Sequence, residues 1–272
     1  MANDAKSNWI LDQDGMKEQY RDAARLARRA NIFQYGTAPI GWFDWVALHA
    51  HLPDGANVLE VGCGPGWLWT AKPMPEGLSL TLTDQSEGMV SEALARVRAL
   101  DRFPTVKGRT ADVAALPFPD NSFDVVLACH MLYHVPDPQG ALDEMIRVLR
   151  PGGTILVTTN SEDNMSEMYS LAHAAWGGLA VDPSGESFGM KAATDAMKAR
   201  LKEVEVEISS DMLKVTDAEA IVGSLTSYPP GDRASQAQLA TLRAMIIKRM
   251  AENDGIFTIA KRSGLIRGHK AQ

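Results

Sequence analysis

The sequence predicts an α/β fold built on a mostly parallel β-sheet with helices on both faces. Between residues 57 and 159, five short runs rich in β-branched residues alternate with longer segments of helical character. The runs around Val58, Val125 and Ile155 are largely apolar, as expected of central strands covered on both sides. This alternation favours right-handed βαβ units, and 272 residues that are 45% hydrophobic can bury the core of one large domain.

The first 52 residues are predicted to form a helical cap. Apolar residues recur at helical spacing over residues 14–32 and again over residues 39–51, which predicts two amphipathic helices. The aromatic segment 33–36 lies between them and predicts a turn. The cap ends where Pro53, Asp54 and Gly55 introduce the first β-branched run.

Residues 53–160 are predicted to form the core of the sheet. The predicted strands cover residues 57–61, 78–83, 105–109, 123–129 and 154–159. Helices over residues 87–100 and 138–149 fit as the crossovers between parallel strands. The sequence Pro-Gly-Gly at 151–153 ends the second of these helices.

Residues 161–272 are predicted to add lid helices and the remaining strands to the same domain. Helical character dominates residues 161–200, 217–228 and 234–252. Strands are predicted over residues 204–208, 256–260 and 264–267. Segments inserted at the carboxyl side of a sheet commonly form the lid of a ligand site, so we expect a lid here.

Composition and charge exclude several classes of function. The apolar stretches fall short of the roughly 18 residues that a membrane-spanning helix needs, and residues 1–8 lack the apolar segment of a secretory signal, so we expect a cytoplasmic protein without membrane contact. Two cysteines, Cys63 and Cys129, support neither a disulfide framework nor a metal site. The net charge of −7 disfavours a nucleic acid partner.

A glycine-rich turn follows the first predicted strand. Gly62, Gly64 and Gly66 stand at alternate positions, and glycine lets a ligand approach the backbone because it has no Cβ. Asp84 ends the second predicted strand 20 residues after Gly64, where a carboxylate accepts hydrogen bonds from both hydroxyls of a ribose. The Gly-x-Gly-x-Gly spacing differs from the Gly-x-Gly-x-x-Gly of dinucleotide sites, so the pattern indicates an adenosine ligand without a diphosphate.

Four further motifs lie within or next to the later predicted strands. They are Ala111-Asp112-Val113, Phe123-Asp124-Val125-Val126, Leu149-Arg150-Pro151-Gly152-Gly153 and the stretch from His130 to Asp137. With these motifs, residues 55–160 resemble class I S-adenosylmethionine-dependent methyltransferases, especially the ubiquinone/menaquinone C-methyltransferase-like group. The resemblance implies a Rossmann-like sheet of seven strands with the last one antiparallel, S-adenosyl-L-methionine as cofactor and a small-molecule acceptor. It leaves C-, O- and N-methylation open.

The resemblance also implies a set of cofactor-binding residues. Around the methionine and ribose portions it places Glu60, Gly62, Cys63, Gly64, Gly66 and, on the ribose, Asp84. Around the adenine ring it places Gln85, Met89, Asp112 and Val113. The Cys129 carbonyl would meet the methionine ammonium, and Tyr20 or Tyr35 would reach the methionine carboxylate or the acceptor from the N-terminal segment.

Methyl transfer is an in-line displacement that needs a base only when the acceptor must lose a proton. His130 directly follows the fourth predicted strand, at the sheet edge where open α/β folds bind ligands, and is our first candidate base. The alternative is that its ring packs against the cofactor or binds a carbonyl. Tyr133 and His134 follow within one turn, although that face could equally pack on the sheet. We expect Trp42 and Trp45 to pack in the core.

Two other functions remain open from the sequence. One is a nucleic-acid methyltransferase, which the charge and the ending Ala128-Cys129-His130 disfavour, because base-modifying enzymes carry Asn/Asp-Pro-Pro-aromatic there. The other is a protein that binds the cofactor without catalysis, which turnover would decide. The oligomeric state is open as well, and a homodimer is compatible with these features.

Overall fold

A computed structural model describes residues 9–12, 15, 20 and 23–272 of the chain. Its centre is a seven-stranded sheet in the order β3-β2-β1-β4-β5-β7-β6. The strands are β1 (Asn57–Val61), β2 (Ser79–Asp84), β3 (Thr105–Thr110), β4 (Phe123–Cys129), β5 (Leu149–Asn160), β6 (Lys202–Val215) and β7 (Phe257–His269). The predicted α/β fold is therefore confirmed.

Strands β1 to β5 are parallel, and β7 runs antiparallel between β5 and β6. In the centre, Val58 pairs with Leu80 on one side and with Val125 on the other. Leu156 of β5 pairs with Leu127 of β4 and, in antiparallel register, with Arg267 of β7. The parallel strands end at one edge of the sheet, so the loops after β1, β2 and β4 meet there.

Helices precede, connect and follow the strands. They are α1 (Ala24–Ala30), α2 (Trp42–Ala50), α3 (Glu87–Arg98), α4 (Pro138–Val148), α5 (Ser166–Trp176), α6 (Pro183–Phe188), α7 (Met190–Lys198), α8 (Ala218–Leu225) and α9 (Gln236–Ala251). Local sequence explains several starts: Ser86 accepts a hydrogen bond from the Met89 amide at the start of α3, and Asp137 does the same for Gly140 at α4. None of the helices in the described residues has the length and apolar character that crossing a bilayer requires.

The core consists of a layer on each face of the sheet and a third cluster under the lid. Neighbouring strand residues point to opposite faces, so Leu59 and Val126 pack in one layer, whereas Val58 and Val125 pack in the other. The third cluster joins the N-terminal segment to the helices that follow β5, with Ile32 at its centre. It lies beside the edge of the sheet where the strand-end loops meet.

The N-terminal helices differ from the prediction. Helix α1 covers only part of the predicted helix over 14–32, and residues 13–14, 16–19 and 21–22 lie outside the described residues. A 3₁₀ helix, Asn31–Tyr35, stands where a turn was predicted over 33–36. Helix α2 begins at Trp42, three residues after the predicted start at residue 39.

The two closing strands predicted over 256–260 and 264–267 are wrong, because β7 is one continuous strand. Lys261, Arg262 and Ser263 interrupt the apolar pattern without breaking the strand, and Gly264 is a site of close packing. A Cβ on Gly264 would lie 2.6 Å from the Glu207 carbonyl oxygen of β6. Strand β6 is also longer than the predicted 204–208. It is an edge strand with many polar, exposed residues, so the apolar pattern marked only part of it.

Candidate active site

A cavity of about 1540 Å³ opens at the carboxyl ends of β1, β2 and β4. Its walls come from the strand-end loops on one side and from the N-terminal segment and the lid helices on the other. Ligand pockets commonly measure about 300–1,000 Å³, so this cavity has room for two small molecules side by side. Residues 161–272 supply part of its wall.

The structure brings most of the predicted site residues to this cavity. Those in its wall are Tyr20, Glu60, Gly62, Cys63, Gly64, Asp84, Gln85, Met89, Asp112, Val113, Cys129, His130, Tyr133 and His134. Two predicted residues lie outside the wall. Gly66 packs against α3, where a Cβ would come 3.1 Å from Ala93 Cα, and Tyr35 packs against the cluster under the lid.

The glycine turn exposes its backbone to the cavity at Gly64. All three glycines have positive φ, of 64°, 50° and 74° in chain order, a region that side chains disfavour. A Cβ on Gly62 would collide with Met131 at 2.7 Å, whereas a Cβ on Gly64 would meet nothing within 4 Å. Gly62 and Gly66 therefore serve the packing of the turn, and Gly64 leaves open space for a ligand.

Asp84 links the ends of β1 and β2. One carboxylate oxygen accepts a hydrogen bond from the Gly64 amide at 3.0 Å, and the other accepts from the Ser86 amide at 2.9 Å. Burial raises the pKa of Asp84, while the hydrogen bonds from the backbone of Ser86, Gly64 and Gln85 oppose that rise. Each carboxylate oxygen has a second acceptor site, so the side chain can still accept hydrogen bonds from the cavity.

Glu60 lies buried beneath the turn. Its side chain accepts a hydrogen bond from the Trp69 indole at 2.5 Å and is 2% exposed. Burial raises the pKa of Glu60 to about 8, with a further rise from the charge of Asp84, and the Trp69 hydrogen bond only partly offsets these effects. A positive charge in this part of the cavity would favour the ionised form of Glu60.

The part of the cavity beyond Asp84 is bounded by α3 and the loop after β3. Met89 and Val113 are buried there, and the Asp112 carboxylate accepts a hydrogen bond from the Ala114 amide at 2.9 Å. Apolar contacts beside one carboxylate suit a flat aromatic ring that carries an amino group. This is the arrangement that the resemblance implies for adenine.

Cys129 ends β4 and lies in the cavity wall near Glu60. Burial raises the pKa of the Cys129 thiol, and the charge of Glu60 raises it further, so the side chain stays a neutral thiol. The thiol of Cys63 is buried and neutral for the same reasons. Among the described residues, both cysteines are free.

His130 stands at the point where the glycine turn meets the rest of the cavity. Its backbone has a φ of 52°, and its amide donates a hydrogen bond to the Thr158 carbonyl at 3.1 Å. The His130 ring is therefore positioned by a tight turn of the backbone. The ring lies 5.1 Å from that of Trp42. Burial and the charge of Lys261 lower the pKa of His130 to about 3, so the imidazole is neutral at physiological pH and only weakly basic.

Tyr133 and His134 connect this turn to the N-terminal segment. The Tyr20 hydroxyl lies 3.1 Å from His134 Nε2 and also accepts a hydrogen bond from Arg29 at 3.1 Å. Burial and the Arg29 charge lower the pKa of His134 to about 3. Tyr133 packs edge-on against the His134 ring at 4.5 Å. These contacts link Tyr20 and Arg29 to the turn that follows β4.

Several polar residues of the cavity wall were not predicted from the sequence. Asp182 is buried and accepts four hydrogen bonds, from the Ser184 amide and hydroxyl and from the side chains of Asn160 and Asn164. Arg29, Asp182 and Lys261 carry no local motif, and contacts between distant segments bring them together. Trp42 packs against the core, as expected, and it also lies in the cavity wall with its ring stacked on Trp45 at 5.3 Å.

Comparison with known proteins agrees with this architecture. Residues 59–157 match the family model described as a methyltransferase domain. The match begins within β1, ends within β5 and includes the glycine turn and Asp84. Residues 59–157 are therefore similar to a methyltransferase domain and lie within a Rossmann-like sheet.

The chain is similar to two groups of curated methyltransferases. It is 31% identical over 180 residues to the malonyl-[acyl-carrier protein] O-methyltransferase of Enterobacter lignolyticus, covering 64% of this chain and 65% of that protein. It is 37% identical over 119 residues to the ubiquinone/menaquinone biosynthesis C-methyltransferase UbiE of Neisseria meningitidis, covering 43% of this chain and 47% of that protein. The chain thus spans less than two thirds of either relative.

A solved structure supports the fold across more of the chain. The YcgJ protein of Bacillus subtilis superposes with a TM-score of 0.58, covering 85% of this chain and 98% of that one. The sequence identity is 17%, so this likeness concerns the fold alone.

Proposed function

We propose that the chain transfers the methyl group of S-adenosylmethionine to a small-molecule acceptor. The observation that carries this proposal is the hydrogen bond between Asp84 and Gly64, which places a carboxylate and an open backbone turn together at one end of a large cavity. An adenosyl amino acid needs both features, one for its ribose and one for its methionine portion.

The residues present fit this cofactor. Asp84 would hold the ribose, Met89 and Val113 would pack on the adenine, and Asp112 would accept from the adenine amino group. Glu60 and the Cys129 carbonyl would stabilise the methionine ammonium. Gly64 has no side chain in the space that such a ligand requires.

When bound, the cofactor supplies a sulfonium methyl group that is open to displacement by a nucleophile. The chain contributes orientation and exclusion of water, because an in-line reaction depends on how the acceptor faces the methyl group. Trp42 and His130 form the wall next to the turn, and Tyr20, Arg29 and His134 form a hydrogen-bonded group in another part of the wall. His130 is neutral and accepts a hydrogen bond or a proton from the acceptor.

The type of methylation stays open in this proposal. Residues beyond 157, which include β6, β7 and the proposed lid helices, lie outside the methyltransferase-domain match, so the acceptors of the two relatives do not carry over to this chain. The cavity lies at the strand ends and under the lid helices, which favours a metabolite over a nucleic acid as acceptor, and the net charge of −7 supports the same preference.

Three further expectations belong to the same proposal. We propose that residues 1–52, 53–160 and 161–272 act as cap, cofactor-binding core and lid of one domain. We propose a cytoplasmic protein without a nucleic acid partner. A homodimer is the assembly we would test first, by sedimentation of the purified chain at several concentrations.

The proposed function is tested in two steps. Calorimetric titration with S-adenosylhomocysteine should give one site per chain, and absence of binding would refute the proposal. Incubation with a methyl-labelled donor and a panel of hydroxylated, acidic and amine metabolites should then transfer label to at least one of them. Binding without transfer to any member would favour the non-catalytic alternative.

A further inference from the structure

Lys261 lies in the middle of β7 with its ammonium group in the cavity wall. Its side chain is 9% exposed, although β7 lies next to the edge strand of the sheet. Nζ lies 4.5 Å from the centre of the Trp42 ring and 5.5 Å from that of Phe33. Two aromatic faces therefore stabilise a cation that is largely removed from water.

The ammonium group has no hydrogen-bond acceptor or carboxylate partner among the described residues. Asp211 on β6 is the acidic group whose charge acts on Lys261, but its Oδ1 accepts from the amides of Thr37 and Ala38 at 2.8 Å. This carboxylate thus holds the loop before α2 against β6. Lys261 keeps its three donors for the cavity.

Lys261 and His130 stand on the same side of the cavity. Both contact the ring of Trp42, and the Lys261 charge contributes to the lowered pKa of His130. His130 follows β4 beside the glycine turn, so Lys261 reaches the region next to the expected methyl group instead of the adenosine end. Burial lowers the pKa of Lys261 to about 8, and the charge of Asp211 opposes this effect. In most molecules the Lys261 ammonium group is therefore still protonated at neutral pH.

We propose that Lys261 binds a carboxylate or an ionised hydroxyl of the methyl acceptor. This inference rests on the proposed function, since it assigns the acceptor half of the same cavity. A single ammonium group suits a monoanion, whereas a phosphate group commonly engages several cationic or amide donors. Trp42 and Phe33 would pack against the carbon skeleton next to the charge, so the predicted acceptor is an apolar, often aromatic, organic acid or phenol.

The test uses two matched probes, 2-naphthoate and 2-naphthamide, which differ in charge but hardly in shape. Affinities are measured by fluorescence and calorimetry with protein saturated in S-adenosylhomocysteine. The variants are Lys261→Met, which removes the charge, and Lys261→Arg, which keeps it. Lys214→Met is the matched control, because Lys214 lies on the neighbouring strand β6 with an exposed side chain.

We expect Lys261→Met to weaken binding of 2-naphthoate roughly tenfold or more, as for loss of a charged hydrogen bond. Lys261→Arg and Lys214→Met should stay near wild type, and 2-naphthamide should bind all four proteins alike. Equal affinity of wild type and Lys261→Met for 2-naphthoate, including no binding to either, would overturn the inference. Equal loss of both probes in Lys261→Met would also overturn it, since that result reports altered packing.

The titration with S-adenosylhomocysteine separates this inference from the proposed function. If the wild type fails to bind S-adenosylhomocysteine, the proposed function fails, while the probe comparison, repeated without it, still reports on Lys261. If S-adenosylhomocysteine binds wild type and Lys261→Met equally and 2-naphthoate does not distinguish them, the role of Lys261 alone is refuted.

Discussion

The carboxylate of Asp84 accepts a hydrogen bond from the amide of Gly64 at 3.0 Å and thereby joins the carboxyl ends of β2 and β1. The two residues are 20 positions apart in the chain, and parallel pairing of their strands brings them together. Asp84 thus shapes the turn before any ligand is present. Preorganisation of this kind lowers the cost of ordering the site on binding.

Replacing Asp84 with alanine should weaken binding of S-adenosylhomocysteine by about 1.5–3 kcal/mol, the usual contribution of a charged hydrogen-bonding group. Calorimetry measures the change. Asp54→Ala serves as a control, because Asp54 is exposed in the turn before β1. Unchanged affinity in Asp84→Ala would mean that the ribose is held elsewhere.

Gly64→Ala and Gly55→Ala form a matched pair. Both glycines have positive φ, 50° and 71°, and an added Cβ meets nothing within 4 Å at either position. Each variant should therefore lose about 1–2 kcal/mol of stability through backbone strain. Only Gly64→Ala should also lose affinity for S-adenosylhomocysteine, because Gly64 lines the cavity. Equal affinities in a titration of both variants would argue against the turn as a ligand site.

Glu60 should make the stability of the free protein depend on pH. Its pKa is raised from 4.5 to about 8 in the folded state, so the native protein binds a proton that the unfolded chain releases. The stabilisation is complete below pH 4.5 and is lost as the pH rises to about 8. Relative to Glu60→Gln, the wild type should lose a few kcal/mol, about one for each pH unit, in urea unfolding over this range. A pH-independent difference would contradict the assigned protonation state.

His130→Asn tests the histidine next to the glycine turn. Asparagine tolerates the left-handed φ of 52° at this position, so the fold should survive. Once an acceptor is known, kcat should fall roughly tenfold or more if His130 receives its proton, with little change in cofactor affinity. Because the pKa of His130 is about 3, its protonation should produce no inflection of the rate between pH 5 and 8. Wild-type turnover would remove His130 from the chemistry.

Asp182→Asn should loosen the start of α6. The amide group cannot accept the hydrogen bonds from Asn160 and Asn164 at its nitrogen, so we expect a loss of about 1–3 kcal/mol in urea unfolding. Asp195→Asn is the control, because its ion pair with Lys191 is exposed to solvent and contributes little to stability. Equal destabilisation of the two variants would show that the buried hydrogen bonds contribute little.

Local patterns in the sequence were sufficient for the central sheet. The predicted bounds of β1 and β4 match the structure because their apolar runs are short, complete and flanked by turn residues. The pattern failed in β7, where Lys261 faces the cavity and Gly264 packs against β6. In the sequence, a polar residue and a glycine at these positions look like the end of one strand and the start of another. The hydrophobic pattern does not show that one face of the strand borders a cavity.

The sequence by itself determined the apolar runs of the central strands, the glycine turn and the acidic residue that follows it. These features depend on neighbours along the chain. Only the tertiary structure decided that Gly66 and Tyr35 leave the cavity wall and that Arg29, Trp42, Asp182 and Lys261 enter it. Arg29 bonds Ser227, and Lys261 contacts Trp42, so these pairs join segments that lie far apart in the chain. Burial, which sets the pKa values of Glu60, His130 and Lys261, is a property of that assembly, because it depends on which segments exclude water from each group.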